Sequence, residues 1–335
     1  MSDRWLRDGG LAPIFAHRGR TGRCDAVSAA ALAAASVLRD NPAMTEIVGP
    51  VSSYYVSQRL RLHYVDWGND GAPPLVLIHG GRDHARSWDW VARALRQDWH
   101  LVVPDLRGHG DSAWALGGHY TVPEFVLDIA QLLDVLGRFP VTLVGHSLGG
   151  AVALHYTAIY PERVRKLVAI EGLGPSPAML EALREKPRWE RTDAWIRQVR
   201  EFAARMPRRY PSIDAAAARM LEENPFLSPE QAHHLTVHGV ARNEDGTYGW
   251  KFDNHVRVLF PERYDMQENR AAWGRIGCPT LLMRGAESWA SDPSKDGRIT
   301  AFQDARLVNV RGAGHWVHHD QLETFLREVR AFLAE

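Results

Sequence analysis

The stretch VTLVGHSLGGAVALHY, residues 141–156, constrains the fold of this chain more than any other. Residues 141–144 are largely β-branched and read as a short buried strand, and an apolar helical run follows through Tyr156. Between them lies Gly145-His146-Ser147-Leu148-Gly149, a sharp reversal centred on a serine. On such a turn, side chains two residues to either side of the serine would strike the neighbouring strand and helix. Gly145, Gly149 and Gly150 remove those side chains. A serine hydroxyl is a weak nucleophile at neutral pH, so Ser147 becomes reactive only when presented at the helix N-terminus and paired with a base.

From Tyr54 onward, short β-rich runs alternate with helical stretches, the pattern of a mostly parallel sheet covered on both faces. Strands are expected at 54–57, 61–67, 75–79, 100–104, 141–144, 166–170, 280–283 and 305–310, and crossover helices at 87–95 and 122–136. Residues 175–264 break the alternation. Rich in Arg, Glu, Ala, Trp and Met, this segment reads as several helices and is expected to form a cap inserted into a core made of 51–174 and 265–335. Residues 1–50 scatter Gly, Arg and Pro around one Ala-rich segment with little bulky apolar surface, and are expected to form an extension outside the core.

The charge balance narrows the partners. Lys plus Arg and Asp plus Glu each number 40, so no global field exists to gather nucleic acid or an anionic membrane surface, and a small near-neutral partner is expected. Two cysteines, Cys24 and Cys278, are too few for a disulfide framework and lack zinc-site spacing. The longest apolar stretch near the N-terminus, 26–38, is too short to span a bilayer, so a soluble cytoplasmic protein is expected.

With its serine elbow the chain resembles the α/β-hydrolase superfamily, over roughly residues 52–335, and further motifs agree. His79-Gly80-Gly81 follows the apolar run LVLI, where this superfamily places the turn of its oxyanion hole. The resemblance implies that the backbone N–H groups of Gly81 and Leu148 hold a developing oxyanion, and that His79 is structural. Asp105 to Ser112, DLRGHGDS, looks like the D-x-R-G-x-G-x-S segment of the same proteins, a marker of fold more than of catalysis. Near the C-terminus an apolar strand runs through Gly312-Ala313-Gly314 to His315 and into an amphipathic helix, where the superfamily keeps its catalytic histidine. An imidazole can take the serine proton and return it to a leaving group. His318 and His319 compete for the role, but the strand-to-loop position and preceding glycine favour His315. A zinc site built from the three histidines lacks acidic or cysteine partners.

The third member departs from the commonest pattern, in which an Asp follows the glycine after the seventh hydrolase strand by three or four positions. Gly285-Ala286-Glu287-Ser288-Trp289 offers Ser and Trp there. A carboxylate is needed to fix the histidine tautomer and stabilise the imidazolium. Glu171 closes the apolar strand in KLVAIEGLGP, where an acid otherwise has little reason to stand, and parts of the superfamily place their acid there. Glu287 and Asp292 are the alternatives. Because dehalogenases and epoxide hydrolases of this fold use an Asp nucleophile, Ser147 implies attack on a carbonyl with neither cofactor nor metal. The expected substrate is a small hydrophobic ester or lactone, with Trp189, Trp195, Trp250, Phe252 and Phe260 as candidate pocket walls. C–C bond or amide cleavage, or a catalytically weak receptor, would use the same residues.

Overall fold

The computed structural model describes residues 49–258, 260 and 265–335. The extension expected over 1–50, with Cys24, lies outside the described residues but for Gly49 and Pro50. Eight strands form the main sheet: β1 (Val51–Ser57), β2 (Leu60–Asp66), β3 (Pro74–Ile78), β4 (His100–Pro104), β5 (Val141–His146), β6 (Val164–Ile170), β9 (Thr280–Gly285) and β10 (Ala305–Val310). Their spatial order is β1-β2-β4-β3-β5-β6-β9-β10. β2 pairs antiparallel with β1 and β4, and the remaining neighbours are parallel. Each expected strand is present.

Successive residues of a strand face opposite sides, so strands that are apolar throughout need cover on both faces. On one face Val76 and Ile78 of β3, Leu143 of β5 and Leu167 of β6 pack with Phe125, Ile129, Val152 and Tyr156. Leu75, Leu77, Val144 and Val168 point the other way, toward Trp88, Val91, Phe325 and Val329. The covering helices include α1 (Asp89–Leu95), α2 (Val122–Leu136), α3 (Leu148–Ile159), and, beyond the insertion, α8 (Met266–Trp273), α9 (Val317–Asp320) and α10 (Leu322–Ala334). α2 shows why the termini fall where they do. Glu124 Oε2 accepts the Thr121 N–H at 3.1 Å, Pro123 needs no partner in the first turn, and Gly137 closes the helix at φ 62°. The stretch expected to be one helix over 87–95 begins instead as a 3₁₀ turn, Ala85–Trp88, before α1.

Between β6 and α8 the chain leaves the sheet. It forms α4 (Pro177–Arg184), α5 (Arg188–Ala204), α6 (Ile213–Glu223) and α7 (Pro229–Gly239), then a hairpin of β7 (Val240–Arg242) and β8 (Tyr248–Trp250). The hairpin was not anticipated, because strands of three residues carry almost no periodic signal. This segment is fastened unevenly. His84 Nε2 donates to the Leu235 carbonyl of α7 at 2.8 Å, His234 Nε2 lies 3.2 Å from Asp89 Oδ2, and Tyr120 donates its hydroxyl to Asp253 at 2.6 Å. α5 by contrast buries no residue.

Candidate active site

At the end of β5 the chain turns through Ser147 at φ 50°, ψ −114°, a conformation that a non-glycine residue holds only under constraint. A Cβ on Gly145 would lie 2.3 Å from the Gly149 carbonyl oxygen, and one on Gly149 would lie 2.3 Å from that of Ile78. Both neighbours are backbone and cannot swing aside, so the glycines are what allow the turn. The Ser147 N–H donates to the Ile170 carbonyl of β6 at 2.8 Å, and its carbonyl accepts from Ala151. The serine is thus held at the N-terminus of α3.

Glu171, one residue beyond β6, also has positive φ, 51°. Its side chain is fully buried. Oε1 accepts the Gly285 N–H at 2.9 Å, while Oε2 accepts the Ser288 hydroxyl at 2.6 Å and lies 2.8 Å from His315 Nδ1. A carboxylate there makes Nδ1 the protonated nitrogen and leaves Nε2 as the acceptor. Ser147 and His315 line one cavity of about 940 Å³, with no hydrogen bond closed between them, a separation common before substrate binds. Gly81 and Leu148 border the same cavity. Among the described residues neither amide donates to another protein group.

The alternative acids do other work. Glu287 accepts the Gly312 and Ala313 N–H groups, both at 3.0 Å, and so clamps the loop that carries His315. Asp292 caps its own turn through Ser294. His318 and His319 are buried: His318 stacks on Trp88 with ring centroids 4.3 Å apart, and only His315 of the three histidines borders the cavity. Sequence reasoning missed Asp320, which accepts the Gly314 N–H at 2.8 Å beside the cavity. Burial, followed by smaller effects that include the nearby Glu171 charge, leaves its carboxyl raised to about 6.

The motifs beside the site are braces. His79 Nε2 accepts the Leu106 N–H at 3.0 Å, which fixes Nδ1 as the donor to the Gly80 carbonyl at 2.7 Å and ties the turn at Gly80-Gly81 to the segment after β4. Burial pushes His79 down to about 3, so it stays neutral. Asp105 is buried, which alone would raise its pKa. Contacts with His63 at 2.7 Å and with the Asp111 N–H at 2.9 Å hold it well below the usual carboxylate range. Arg107 is bonded at 2.6 and 2.8 Å to Asp128 inside the core.

Three groups of described residues bring metal-ligating atoms within 4.8 Å of one another: Asp83, His146 and His318; Asp89, His234 and His238; and His63, Asp105 and Asp111. In the second, Asp89 is engaged by Arg86 and His234, and the third is the brace around Asp105. In the first, burial pushes Asp83 up to about 6 and holds both imidazoles well below their ordinary value, a set of groups driven toward neutrality. Cys278 is buried, and burial raises its thiol to about 11.

The strand order, the inserted helices and this serine turn define the α/β-hydrolase fold, and residues 73–322 match the family model for that fold; the chain belongs to that family. Within it, the chain is 26% identical to the esterase YbfF of Escherichia coli over 78% of this chain and 92% of that one. It is 36% identical to human epoxide hydrolase 4 over 82% and 76% of the two chains. Among solved structures, the thioesterase domain of the curacin biosynthetic pathway superposes with a TM-score of 0.73 at 23% identity, over 84% of this chain and 99% of that domain. Among the described residues no helix is long and apolar enough to cross a membrane.

Proposed function

We propose that this hydrolase cleaves small carboxylic esters or lactones through an acyl-enzyme on Ser147, with His315 as base and Glu171 as its carboxylate partner. The observation that carries the reading is the 2.8 Å contact between His315 Nδ1 and a buried Glu171, with Ser147 opening into the same cavity. His315 takes the Ser147 proton as the oxygen attacks the carbonyl carbon. Glu171 stabilises the imidazolium so formed without accepting its proton. The N–H groups of Gly81 and Leu148 receive the oxyanion. His315 then protonates the leaving alkoxide, and in a second round draws a proton from water to release the acid. The segment 175–264 acts as a cap that walls the substrate site. A serine rather than an aspartate at the elbow separates this chemistry from epoxide opening, whose relatives in this fold attack with a carboxylate.

The test is hydrolysis of p-nitrophenyl esters of graded chain length by the wild type and by Ser147→Ala, His315→Ala, Glu171→Gln and Asp292→Asn. Activity abolished in the first two variants, strongly reduced in the third and retained in the fourth supports the triad. Multiple turnovers distinguish an enzyme from a receptor of the same fold, and an inactive wild type sinks the ester reading.

A further inference from the structure

The cavity at Ser147 has an apolar wall, but charged side chains share it, and only some of the aromatic residues of 175–264 contribute. Trp250 and Phe252 do line it, but Trp195 and Phe260 pack on each other at 5.8 Å and on His119, and Trp189 is 73% exposed away from it. Phe202, Phe226, Trp289 and Trp316 border the space together with five arginines: Arg82, Arg205, Arg208, Arg219 and Arg257.

The balance of charge there is unequal. Each of the three acids on the wall already has a partner. Glu223 is paired with Arg219 at 2.5 Å, Glu287 holds the Gly312 and Ala313 amides, and Asp320 holds the Gly314 amide. Arg205 is paired with Glu201 on α5. For Arg82, Arg208 and Arg257 no carboxylate lies within ion-pair distance among the described residues. Arg82 follows Gly81 directly and is held at φ 65°, a left-handed conformation unfavourable for a side chain of this kind. Arg257 lies over the face of Phe252, 5.6 Å from the ring centroid. Burial, then the nearby charge of Arg82 and, less, that of Arg205, lower its pKa against the opposing charge of Glu223, although a guanidinium remains charged throughout the working range. Like charges gathered in one cavity repel, and a bound anion relieves that repulsion.

We infer that the cavity selects esters carrying a negatively charged group, a carboxylate or phosphate, which Arg82 and Arg257 hold while Ser147 attacks the ester carbonyl. The inference rests on the ester-hydrolase reading of the same site and narrows its substrate class. A guanidinium presents paired N–H donors that match the two oxygens of a carboxylate or phosphate, which a neutral acyl chain cannot use.

Near-isosteric pairs test it. Mono-(4-nitrophenyl) glutarate against 4-nitrophenyl pentanoate places the charge on the acyl side; 4-carboxyphenyl butyrate against phenyl butyrate places it on the leaving side. In at least one pair kcat/KM is expected to favour the anion by about tenfold or more, chiefly through KM, and the preference to shrink in 0.5 M salt. Arg257→Gln and Arg82→Gln should each reduce that preference, while Arg257→Lys keeps part of it. Calorimetric titration of glutarate and of inorganic phosphate into the wild type and Arg257→Gln reads the site without turnover and separates the two anion chemistries. Equal or better hydrolysis of both neutral esters, with neither anion bound, overturns the anion site and leaves the hydrolase standing. If no ester is cleaved but an anion binds and Arg257→Gln releases it, the ester reading fails and the anion site remains.

Discussion

At the scale of single residues, the carboxylate choice is the most exposed part of the proposal. Glu171→Gln keeps the shape but turns an amide toward His315 Nδ1, favouring the wrong tautomer and leaving the imidazolium without its counter-charge. The expected loss in kcat is about 10³-fold or more, with little change in KM, measured on the best p-nitrophenyl ester. Glu287→Gln acts differently. It removes one of two acceptors that clamp Gly312 and Ala313, so a destabilisation of about 1–2 kcal/mol in urea unfolding should exceed any effect on the chemical step. Gly145→Ala is expected to be worse, because its methyl meets backbone at 2.3 Å; a loss of about 3 kcal/mol, at the upper end for overpacking, would appear in the same melts. Ser147, His315 and Glu171 were legible because each stands where an element ends and breaks the local pattern: a serine between glycines, a histidine after a glycine loop, an acid closing an apolar strand. The clamp by Glu287 and the acid at Asp320 were not, since their meaning depends on which loop lies opposite. The arginines of the cavity come from positions 82 to 257 and share no local motif.

Among the elements, the sheet followed from the alternation of short apolar runs, and α2 from its capping residues and proline. The insertion was legible as helical but not in detail. Its hairpin had one usable signal, Asp245-Gly246 between β7 and β8, a common turn dipeptide. The uneven fastening of the insertion has a measurable counterpart. α7 is tied to the core by His84 and His234 and buries Ala232, Leu235 and Thr236, whereas α5 buries nothing. Backbone amides of α5 should exchange with deuterium at least about a hundredfold faster than those of α7, because local opening of α5 exposes almost no apolar surface. Equal protection of the two helices would contradict this division of the insertion.

The whole molecule is expected to be acid-sensitive in a defined window. His79 and His319 are pushed down to about 3 and His109 and His238 to about 4, first by burial, and burial also holds His146 and His318 well below the usual value. Each of these takes up a proton on unfolding once the pH drops below about 6.5, so the stability they lend is complete above that pH and lost beneath it. Asp83 and Asp320, raised to about 6, run the other way: as the pH falls through 6 the folded protein gains their protons while the unfolded chain waits until about 3.9. Six imidazoles against two carboxyls leave the unfolded state binding more protons than the folded one in this window. Stability should therefore fall as the pH is lowered from roughly 6 to 4, and a flat profile in chemical denaturation there would contradict the assignment. A last consequence concerns the turn after β6, where Glu171 stands. On the proposed assignment, with the acid at Glu171 just beyond β6, the connection from β9 to β10 beyond Ser288 is free of chemical duty, yet Trp289 in that connection stands 74% exposed with its ring 5.0 Å from that of His315. Substitution at Trp289 is then expected to change which molecules the cavity accepts while Ser147, His315 and Glu171 stay in place.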